Sequence, residues 1–327
     1  MNGNHFLKNK NILVTGAGGF VGKNLVKRLL SLDANILATF HNNMPKLQNE
    51  HVEYIHCDLL DGANCFKIME DINYVFHSAG ITSSAGRNNR REPNDLFKAN
   101  FVMNMNVIEA SFRAKVKKLL FISSTTAYPD LKDSYLNECD FFIGDPYEKY
   151  FNLGWMYRMS EVVCRMYAQS TANKTVPVVL RPSNIYGIGD NFETAKSHVI
   201  PSLIRKTVEN KERLVVWGDG KDIRDFIYIN DFIDAALLAM EKIEKYLPLN
   251  IGLGKGYDIA SVLKFILKIQ GINNIRIKYD LGKPSMIPIR LLNISKAKKE
   301  IGFKPSIDIE EGLKLTIDWY KNNSGEI

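Results

Sequence analysis

The segment Asn11–Gly22 constrains the fold of this chain more than any other stretch, because it reads NILVTGAGGFVG. The short apolar run Ile12–Val14 is typical of a strand that is buried on both faces of a sheet. Three glycines follow at three-residue spacing: Gly16, Gly19 and Gly22. Glycine lets the backbone approach a ligand closely, and the N–H groups at the start of a helix favour negative charge. Since helical periodicity then covers Asn24–Leu32, the segment predicts a strand, a turn and a helix that can bind a pyrophosphate.

The first two-thirds of the chain alternates short β-branched runs with helical patterns, which predicts a parallel sheet covered by helices. The predicted strands are Asn11–Thr15, Asn35–Phe40, Val52–His56, Tyr74–His77, Lys118–Ser123 and Val176–Arg181. We expect a late strand near Leu249–Ile251 to return to the same sheet. The fold class is therefore α/β, a doubly wound parallel sheet with a smaller C-terminal lobe. Ligands of such sheets bind outside the carboxyl ends of the strands, where we expect the binding motifs to gather.

The length of 327 residues allows one large α/β domain and a smaller lobe. We expect residues 1–186, joined by about 225–254, to form the dinucleotide-binding domain. Residues 187–224 and 255–327 would form an α/β substrate lobe. No apolar stretch is long enough to span a bilayer and no secretory signal is present, so we expect a cytoplasmic protein.

The net charge of +7 comes from scattered basic residues, apart from short clusters such as Lys115, Lys117 and Lys118. This pattern suits a small anionic ligand, whereas a nucleic-acid partner would need a denser basic patch. The four cysteines lack metal-ligand spacing, so we expect buried free thiols and no metal: Cys57, Cys65, Cys139 and Cys164.

The glycine motif resembles that of the nucleotide-sugar epimerases and dehydratases in the extended short-chain dehydrogenase/reductase superfamily. It reads Thr-Gly-x-x-Gly-Phe-x-Gly from Thr15, and Val21 makes it differ from the G-x-G-x-x-G of most dinucleotide folds. Within this NAD-dependent epimerase/dehydratase family, the C-terminal half is similar to the GDP-L-fucose synthases in motif order and spacing. The matching segments are Arg181–Gly187, Asp190–Phe192, Ser197–Pro201, Val216–Gly220 and Arg224–Phe226. The resemblance implies a Rossmann sheet, an NAD or NADP cofactor, a nucleotide-sugar substrate (GDP-linked by preference) and a homodimer.

The resemblance also implies a set of cofactor-binding residues around the strand ends. They are Gly16, Gly19, Phe20, Val21, Gly22, His41, Asp58, Leu59, Ser78, Ala79, Gly80, Asn100 and Tyr157. An NAD-preferring site usually places Asp or Glu after the second strand, but the chain reads His-Asn-Asn after Phe40. The missing carboxylate favours NADP modestly. No arginine is present to clamp a 2′-phosphate, so solvated loop residues are an equally good interpretation.

The substrate-binding residues that the resemblance implies are Asn184, His198, Val199, Trp217, Arg224, Lys283 and Arg290. Arg224 would meet the diphosphate and Lys283 the nucleotide end, while His198 would act as a general acid/base at the sugar. Arg224 could instead pair with Asp222 or Asp225, and His198 could simply begin a helix. A hydroxyl cluster after the fifth strand contains Ser124, which matches the family's catalytic serine.

The family's Tyr-x-x-x-Lys pair, whose members face the same way on a helix, is missing. Aligning the Gly-Trp and Ser-Glu dipeptides that begin at Gly154 and Ser160 with the family motif places Leu153 at the tyrosine and Tyr157 at the lysine. An unperturbed phenol, with a pKa of about 10, is a poor base at neutral pH. The catalytic set that remains is Ser124, Thr126, His198 and Tyr157.

Two further positions depart from the pattern. Thr126 stands where GDP-L-fucose synthases have a cysteine, so His198 lacks its usual partner. Asn293 replaces an aspartate after the segment that contains Arg290. Tyr128 and Lys132 have the Tyr-x-x-x-Lys spacing, but they lie in a predicted loop and we attribute the match to chance.

The sequence leaves two classes of function open. The first is an NAD(P)-dependent nucleotide-sugar epimerase, reductase or dehydratase that transfers hydride at a ring carbon with a non-standard acid/base set. It would act on a GDP-linked hexose or deoxyhexose. The second is a catalytically inactive relative that binds cofactor and sugar nucleotide as the partner of an active enzyme.

Overall fold

The computed structural model describes residues 5–81, 93–132, 135–170, 174–193, 197–210, 212–283 and 287–323. The strands of these residues are β1 (Asn11–Thr15), β2 (Asn35–Phe40), β3 (Val52–His56), β4 (Tyr74–His77), β5 (Lys118–Ile122), β6 (Tyr135–Leu136), β7 (Val176–Pro182), β8 (Asn184–Tyr186), β9 (Arg213–Trp217), β10 (Ile223–Tyr228), β11 (Leu249–Ile251), β12 (Gly256–Asp258), β13 (Arg276–Asp280) and β14 (Ile289–Leu292). The α-helices are α1 (Phe20–Leu30), α2 (Gly62–Lys67), α3 (Pro93–Arg113), α4 (Phe151–Ala168), α5 (Val199–Glu209), α6 (Ile229–Lys242), α7 (Ile259–Gln270), α8 (Ser295–Ile301) and α9 (Ile309–Asn323).

The largest sheet has seven parallel strands in the order β11-β7-β5-β4-β1-β2-β3. The chain winds outward from β1 in both directions, so a crevice forms at the carboxyl ends of β1 and β4, where the order reverses. This confirms the predicted doubly wound α/β fold, including the late edge strand β11. The predicted strand bounds are wrong only at Ser123, which lies outside β5, and at Pro182, which extends β7 by one residue.

The core lies on both faces of this sheet because successive side chains of β1 point to opposite sides. Ile12 and Val14 pack with α1 and α6, whereas Leu13 packs with α3 and α4 on the other face. The helix after the glycine turn begins at Phe20, which corrects the start at Asn24 that periodicity predicted. The first turn of α1 packs against the glycine turn, so it lacks the amphipathic pattern that marks the rest of the helix.

A smaller sheet has the strand order β12-β10-β14-β6, and β8 also pairs with β10. Strand β10 runs antiparallel to β12 and parallel to β14, with Arg224 beside Arg290 in register. Of the segment 225–254, β10 lies in this smaller sheet, whereas α6 and β11 belong to the larger one. Strands β9 and β13 form a separate parallel pair.

Three cysteines are buried free thiols, as predicted, but Cys139 is exposed, which corrects that expectation for one of the four. Cys139 lies in a short 3₁₀ turn at the surface and therefore packs against no core. In the described ranges no group of three or more His, Cys, Asp or Glu could hold a metal ion. Within the same residues, every helix is too short or too polar to cross a membrane.

Candidate active site

The glycine turn after β1 has a shape that side chains would block. Gly16 adopts a left-handed φ of +70°, and a Cβ there would lie 2.6 Å from the Cα of Ala79. A Cβ at Gly22 would overlap the carbonyl of Gly16, so the first turn of α1 sits directly on the preceding loop. The turns after β1 and β4 therefore meet in the crevice, which brings the predicted residues Gly16, Gly22 and Ala79 together.

The start of α1 is open to an anion. Its N-cap, Gly19, offers no side chain to bond the first N–H groups, and the first turn contains no acidic residue. Phe20 and Val21, both half-buried, form the start of this helix. Backbone donors left without intrahelical partners, with the positive end of the helix dipole, fit the pyrophosphate of a dinucleotide.

Below the crevice, His77 is a structural residue. Its Nδ1 lies 2.7 Å from the hydroxyl of Thr15, and its Nε2 lies 3.0 Å from the side-chain oxygen of Asn104. Burial lowers the pKa of His77 to about 4, so the ring is neutral at pH 7. Ser78 donates its hydroxyl to the Thr15 carbonyl at 2.6 Å, and the Ala79 N–H reaches the Thr15 hydroxyl at 3.3 Å. This network fixes the turn that contains Ser78, Ala79 and, next to them, Gly80.

Asn100 holds the backbone that leaves this turn. Its side-chain oxygen accepts from the N–H of Ile81 at 2.8 Å, and its amide nitrogen donates to the carbonyls of Ile81 and Leu96. One turn further along α3, Asn104 donates to the hydroxyl of Ser160 on α4 at 3.1 Å. Sequence reasoning missed Asn104, although its i+4 spacing from Asn100 on one helix face could have indicated it.

Two histidines face each other at the ends of β2 and β3. The rings of His41 and His56 stack with centroids 5.6 Å apart and an interplanar angle of 25°, and both are exposed. Asp58 is half-buried and accepts from the N–H of Leu60, while Leu59 is buried. The end of β2 therefore presents imidazoles where NAD-preferring proteins usually place a carboxylate.

The hydroxyl cluster after β5 forms a connected pair. Ser124 accepts hydrogen bonds from the N–H of Thr126 at 3.1 Å and from its hydroxyl at 2.9 Å. Because Ser124 accepts both, its own O–H remains available to donate to a ligand. Tyr128 instead turns inward and donates to Asn250 at 2.6 Å. The exposed Lys132 is therefore not its catalytic partner, in agreement with the interpretation as chance.

Helix α4, which contains Leu153 and Tyr157, packs against this cluster. A Cβ at Gly154 would lie 2.9 Å from the carbonyl of Thr126, so the helix approaches the hydroxyl turn closely. Leu153 and Tyr157 are each half-buried on the same face. Burial raises the pKa of Tyr157 to about 12, so its phenol stays neutral at physiological pH.

A buried ion pair anchors the same helix to the sheet. Glu161 on α4 accepts from the Nε of Arg181 at 2.9 Å and from its Nη2 at 2.6 Å, and both side chains are almost fully buried. The geometry is bidentate, which fixes both the direction and the rotation of the guanidinium. The register of α4, and hence the placement of Leu153 and Tyr157, is therefore well determined.

Two arginines of the smaller sheet form a buried cationic pair. Arg224 donates to Asp222 at 3.0 Å and to the carbonyl of Pro288. Burial, with the nearby charge of Arg290, lowers the pKa of Arg224. Arg290 is 8% exposed, and its Nε and Nη1 have no hydrogen-bond partner among the residues that the structure describes. Two guanidiniums therefore lie side by side on neighbouring strands, and charge-assisted donors of this kind suit a diphosphate.

Neighbouring side chains extend this cationic pair towards α4. Asn184 accepts from Arg290 at 3.4 Å and donates to the backbone of β10 at 2.9 Å. The guanidinium of Arg290 also lies 5.3 Å from the ring centre of Tyr150, the residue that precedes α4. The helix that carries Leu153 thus starts beside the anion site. Tyr150 gave no signal in the sequence.

The other predicted substrate residues lie around α5 and β9. His198 is the N-cap of α5, and Val199 is its first helical residue. The ring of His198 touches solvent, yet the surrounding protein lowers its pKa by desolvation. The exposed ring of Trp217 lies between two ammonium groups, with Lys206 at 5.8 Å and Lys283 at 5.5 Å from its centre.

Comparisons with known proteins match this architecture. The model of the NAD dependent epimerase/dehydratase family matches residues 12–252. A "Probable GDP-L-fucose synthase 1" of Oryza sativa subsp. japonica is 28% identical over 97% of this chain and 93% of its own length. A UDP-glucose 4-epimerase of Thermotoga maritima, solved with UDP-glucose, superposes with a TM-score of 0.85 at 27% identity, covering 96% of this chain and 99% of its own. A GDP-6-OMe-4-keto-L-xylo-heptose reductase of C. jejuni gives 0.83 at 25% identity, covering 96% and 98%.

Proposed function

Because the chain belongs to the NAD-dependent epimerase/dehydratase family, we propose that it oxidises, reduces or epimerises the sugar of a nucleotide-linked hexose or deoxyhexose. The observation that carries this proposal is the buried pair Arg224 and Arg290, in which two guanidinium nitrogens of Arg290 have no partner in the described part of the chain. A buried unpaired cation is costly unless a ligand completes it. The larger sheet would hold the cofactor and the smaller one the nucleotide sugar.

The cofactor would lie across the crevice between β1 and β4. Gly16, Gly22 and the start of α1 fit its pyrophosphate, and the turn Ser78–Gly80 would lie beneath it. When bound, its nicotinamide accepts or returns a hydride. The imidazoles of His41 and His56, with no carboxylate at the end of β2, support NADP over NAD.

The substrate would be a GDP-sugar. The rice and C. jejuni relatives are named for GDP-linked sugars, and both match almost the whole chain. Arg224 and Arg290 would bind the diphosphate. Trp217 would offer its exposed face to the base, with Lys283 beside it.

Ser124 and His198 would move the protons. The free O–H of Ser124 can donate to a sugar oxygen as negative charge develops there. Desolvation keeps His198 neutral at pH 7, so it can accept a proton from carbon or oxygen. Leu153 exchanges no proton, and the neutral phenol of Tyr157 is a hydrogen-bonding group rather than a base at pH 7. Thr126 orients Ser124 through its hydroxyl.

The loss of both dyad residues favours a second candidate, a non-catalytic relative that binds cofactor and sugar nucleotide beside an active enzyme. One experiment separates the two: purified protein is incubated with NADP or NAD and with GDP-sugars or their 4-keto derivatives, and nicotinamide absorbance is followed. A turnover-dependent change supports the enzyme. Calorimetric binding of both ligands without turnover supports the second candidate, and no binding of either contradicts both.

The chain would form a homodimer through α3 and α4. These helices pack side by side and line an apolar cavity of about 240 Å³ with Phe101, Trp155 and Met159. Met159 and Met166 are 40% and 63% exposed on α4. An apolar strip of this kind on paired helices is typical of a subunit interface.

A further inference from the structure

A basic cavity lies at the end of the large sheet opposite the glycine turn, where the strands begin. It has a volume of about 480 Å³ and lies at the amino ends of β4, β5 and β7. Four lysines line it: Lys115, Lys117, Lys118 and Lys174. They come from the loop before β5, from β5 itself and from the segment before β7, so the parallel strands gather them from distant parts of the chain.

Three of these lysines form no ion pair with a described residue, whereas the fourth does. Lys118 is buried and donates to the carboxylate of Glu244 at 2.7 Å. Lys115, Lys117 and Lys174 are exposed, and none of them lies within ion-pair distance of a carboxylate in the described part of the chain. Among the described residues, the cavity wall has one other acidic side chain, Glu241. Four lysines therefore face two glutamates, which leaves an excess of positive charge.

The backbone that carries these lysines is fixed in place. Lys115 adopts a left-handed φ of 56° and closes α3 with an N–H bond to the carbonyl of Phe112 at 3.1 Å. Lys117 bonds through its N–H to Asn73 at 2.8 Å, and its carbonyl accepts from Val176 at 3.0 Å. All four lysines line the same cavity, so an anion that enters it would meet several positive charges at once.

An aromatic wall closes one side of the cavity. Phe6 is half-buried and meets Tyr74 edge to face with centroids 5.6 Å apart. Aromatic faces stack on nucleobases, whereas inorganic anions gain nothing from them. We propose that this cavity binds a nucleoside polyphosphate, with the phosphates between Lys115, Lys117 and Lys174 and the base against Phe6. The site is separate from the crevice and does not rest on the proposed function.

Lysine acetylation read by mass spectrometry tests the site residue by residue, and ATP is the probe. ATP should slow acetylation of Lys115, Lys117 and Lys174 and leave Lys278 and Lys298, exposed lysines elsewhere, unchanged. Adenosine without phosphates should protect none of them. The proposal is overturned if ATP protects no lysine of the cavity, protects all surface lysines equally, or protects no better than adenosine.

A charge-matched pair of triple variants provides the second test. In Lys115→Gln/Lys117→Gln/Lys174→Gln the ATP affinity of the cavity should fall at least about tenfold, or 1.4 kcal/mol. The control Lys278→Gln/Lys298→Gln/Lys299→Gln removes the same charge elsewhere and should bind like the parent. Both titrations are done with the crevice filled by excess NADP, and circular dichroism checks folding. Equal weakening in both variants would show a diffuse charge effect and would refute the site.

Discussion

At the scale of single residues, catalysis would depend on which group can change its protonation near pH 7. His198 has an imidazole whose pKa is lowered by desolvation, whereas burial raises the pKa of Tyr157 to about 12. We therefore expect His198→Asn to abolish turnover and Tyr157→Phe to leave most of it, as measured by the initial rate with cofactor and GDP-sugar. Full activity in His198→Asn with loss in Tyr157→Phe would make Tyr157 the catalytic residue.

The converse variant restores the family dyad. Leu153→Tyr with Tyr157→Lys places a phenol and an ammonium one turn apart on α4, so the ammonium can lower the pKa of the phenol. We expect this double variant to create or raise hydride transfer to bound cofactor. The single change Leu153→Phe adds an aromatic ring without a hydroxyl and is the matched control. A double variant no faster than this control would place the two positions away from the reacting carbon.

Arg290 allows a direct test of the proposed anion site, because within the described ranges it pairs with no carboxylate that its removal would expose. Arg290→Ala should weaken GDP-mannose binding by about 2 kcal/mol, or roughly thirtyfold, since it removes charge-assisted bonds to a buried diphosphate. Arg276→Ala, on the exposed strand β13, should change nothing. Titration calorimetry measures both. Unchanged binding in Arg290→Ala would contradict the diphosphate site, and tighter binding of UDP- or dTDP-sugars would contradict the choice of base.

The glycine turn could be predicted from the sequence because the glycine spacing that defines it is local. The hydrogen bonds of His77 could not be predicted, because its ring contacts Thr15 and Asn104, which lie 62 and 27 residues away in sequence. For the same reason, nothing in the sequence indicated that Arg290 would lie beside Arg224 with open donors. Such facts depend on strand register, which a single sequence does not reveal.

At the scale of elements, the glycine turn and α1 act as one unit. Gly22→Ala would push a methyl group into the carbonyl of Gly16, so α1 must shift away from the turn. We expect loss of measurable NADP and NAD binding, with destabilisation of about 1–3 kcal/mol from overpacking. Gly62→Ala, whose Cβ would have only ordinary contacts, is the matched control. Parent-like cofactor affinity in Gly22→Ala would argue against this turn as the pyrophosphate site.

The link between β1, β4 and α3 through His77 makes stability depend on pH. The folded protein holds this ring neutral, with a pKa of about 4, whereas the unfolded chain protonates it near pH 6.5. The unfolded state therefore binds more protons between these values, and stability falls as pH is lowered through the window. This group should remove about 2 kcal/mol between pH 7 and pH 5.

Urea unfolding at both pH values measures this contribution. His77→Gln should be less stable than the parent at pH 7 but should lose less stability on acidification. His51→Gln removes an exposed histidine and should keep the parent's pH dependence. An unchanged pH dependence in His77→Gln would show that the ring is not held neutral.

The strands of the large sheet could be predicted almost to the residue, because each is a short β-branched run between clear breaks. The strands outside the large sheet were not predicted: β6, β8, β9, β10, β12, β13 and β14. They are two to six residues long, and their pairing arises from the tertiary arrangement of the chain rather than from local pattern.

At the scale of the whole molecule, the interface proposed on α3 and α4 would determine whether the chain forms a dimer. Met159→Glu places a charge in the apolar strip and should convert a dimer into a monomer, as read by light scattering after size exclusion. Leu315→Glu, which charges a similarly exposed position on α9, should leave the mass unchanged. A parent that is already monomeric, or a Met159→Glu protein that stays dimeric, would rule out this interface.

The late position of β11 affects how the protein is made. Strand β7 borders β5 on one side and β11 on the other, but β11 is synthesised only after β8, β9, the smaller-sheet strand β10 and helix α6. A nascent chain that has finished β7 therefore leaves the ribosome with an open strand edge, which other growing chains can pair with. The seven-stranded sheet is complete only when β10 of the smaller sheet and then β11 have been synthesised. The large sheet therefore gains its last edge strand only after part of the smaller sheet has been synthesised.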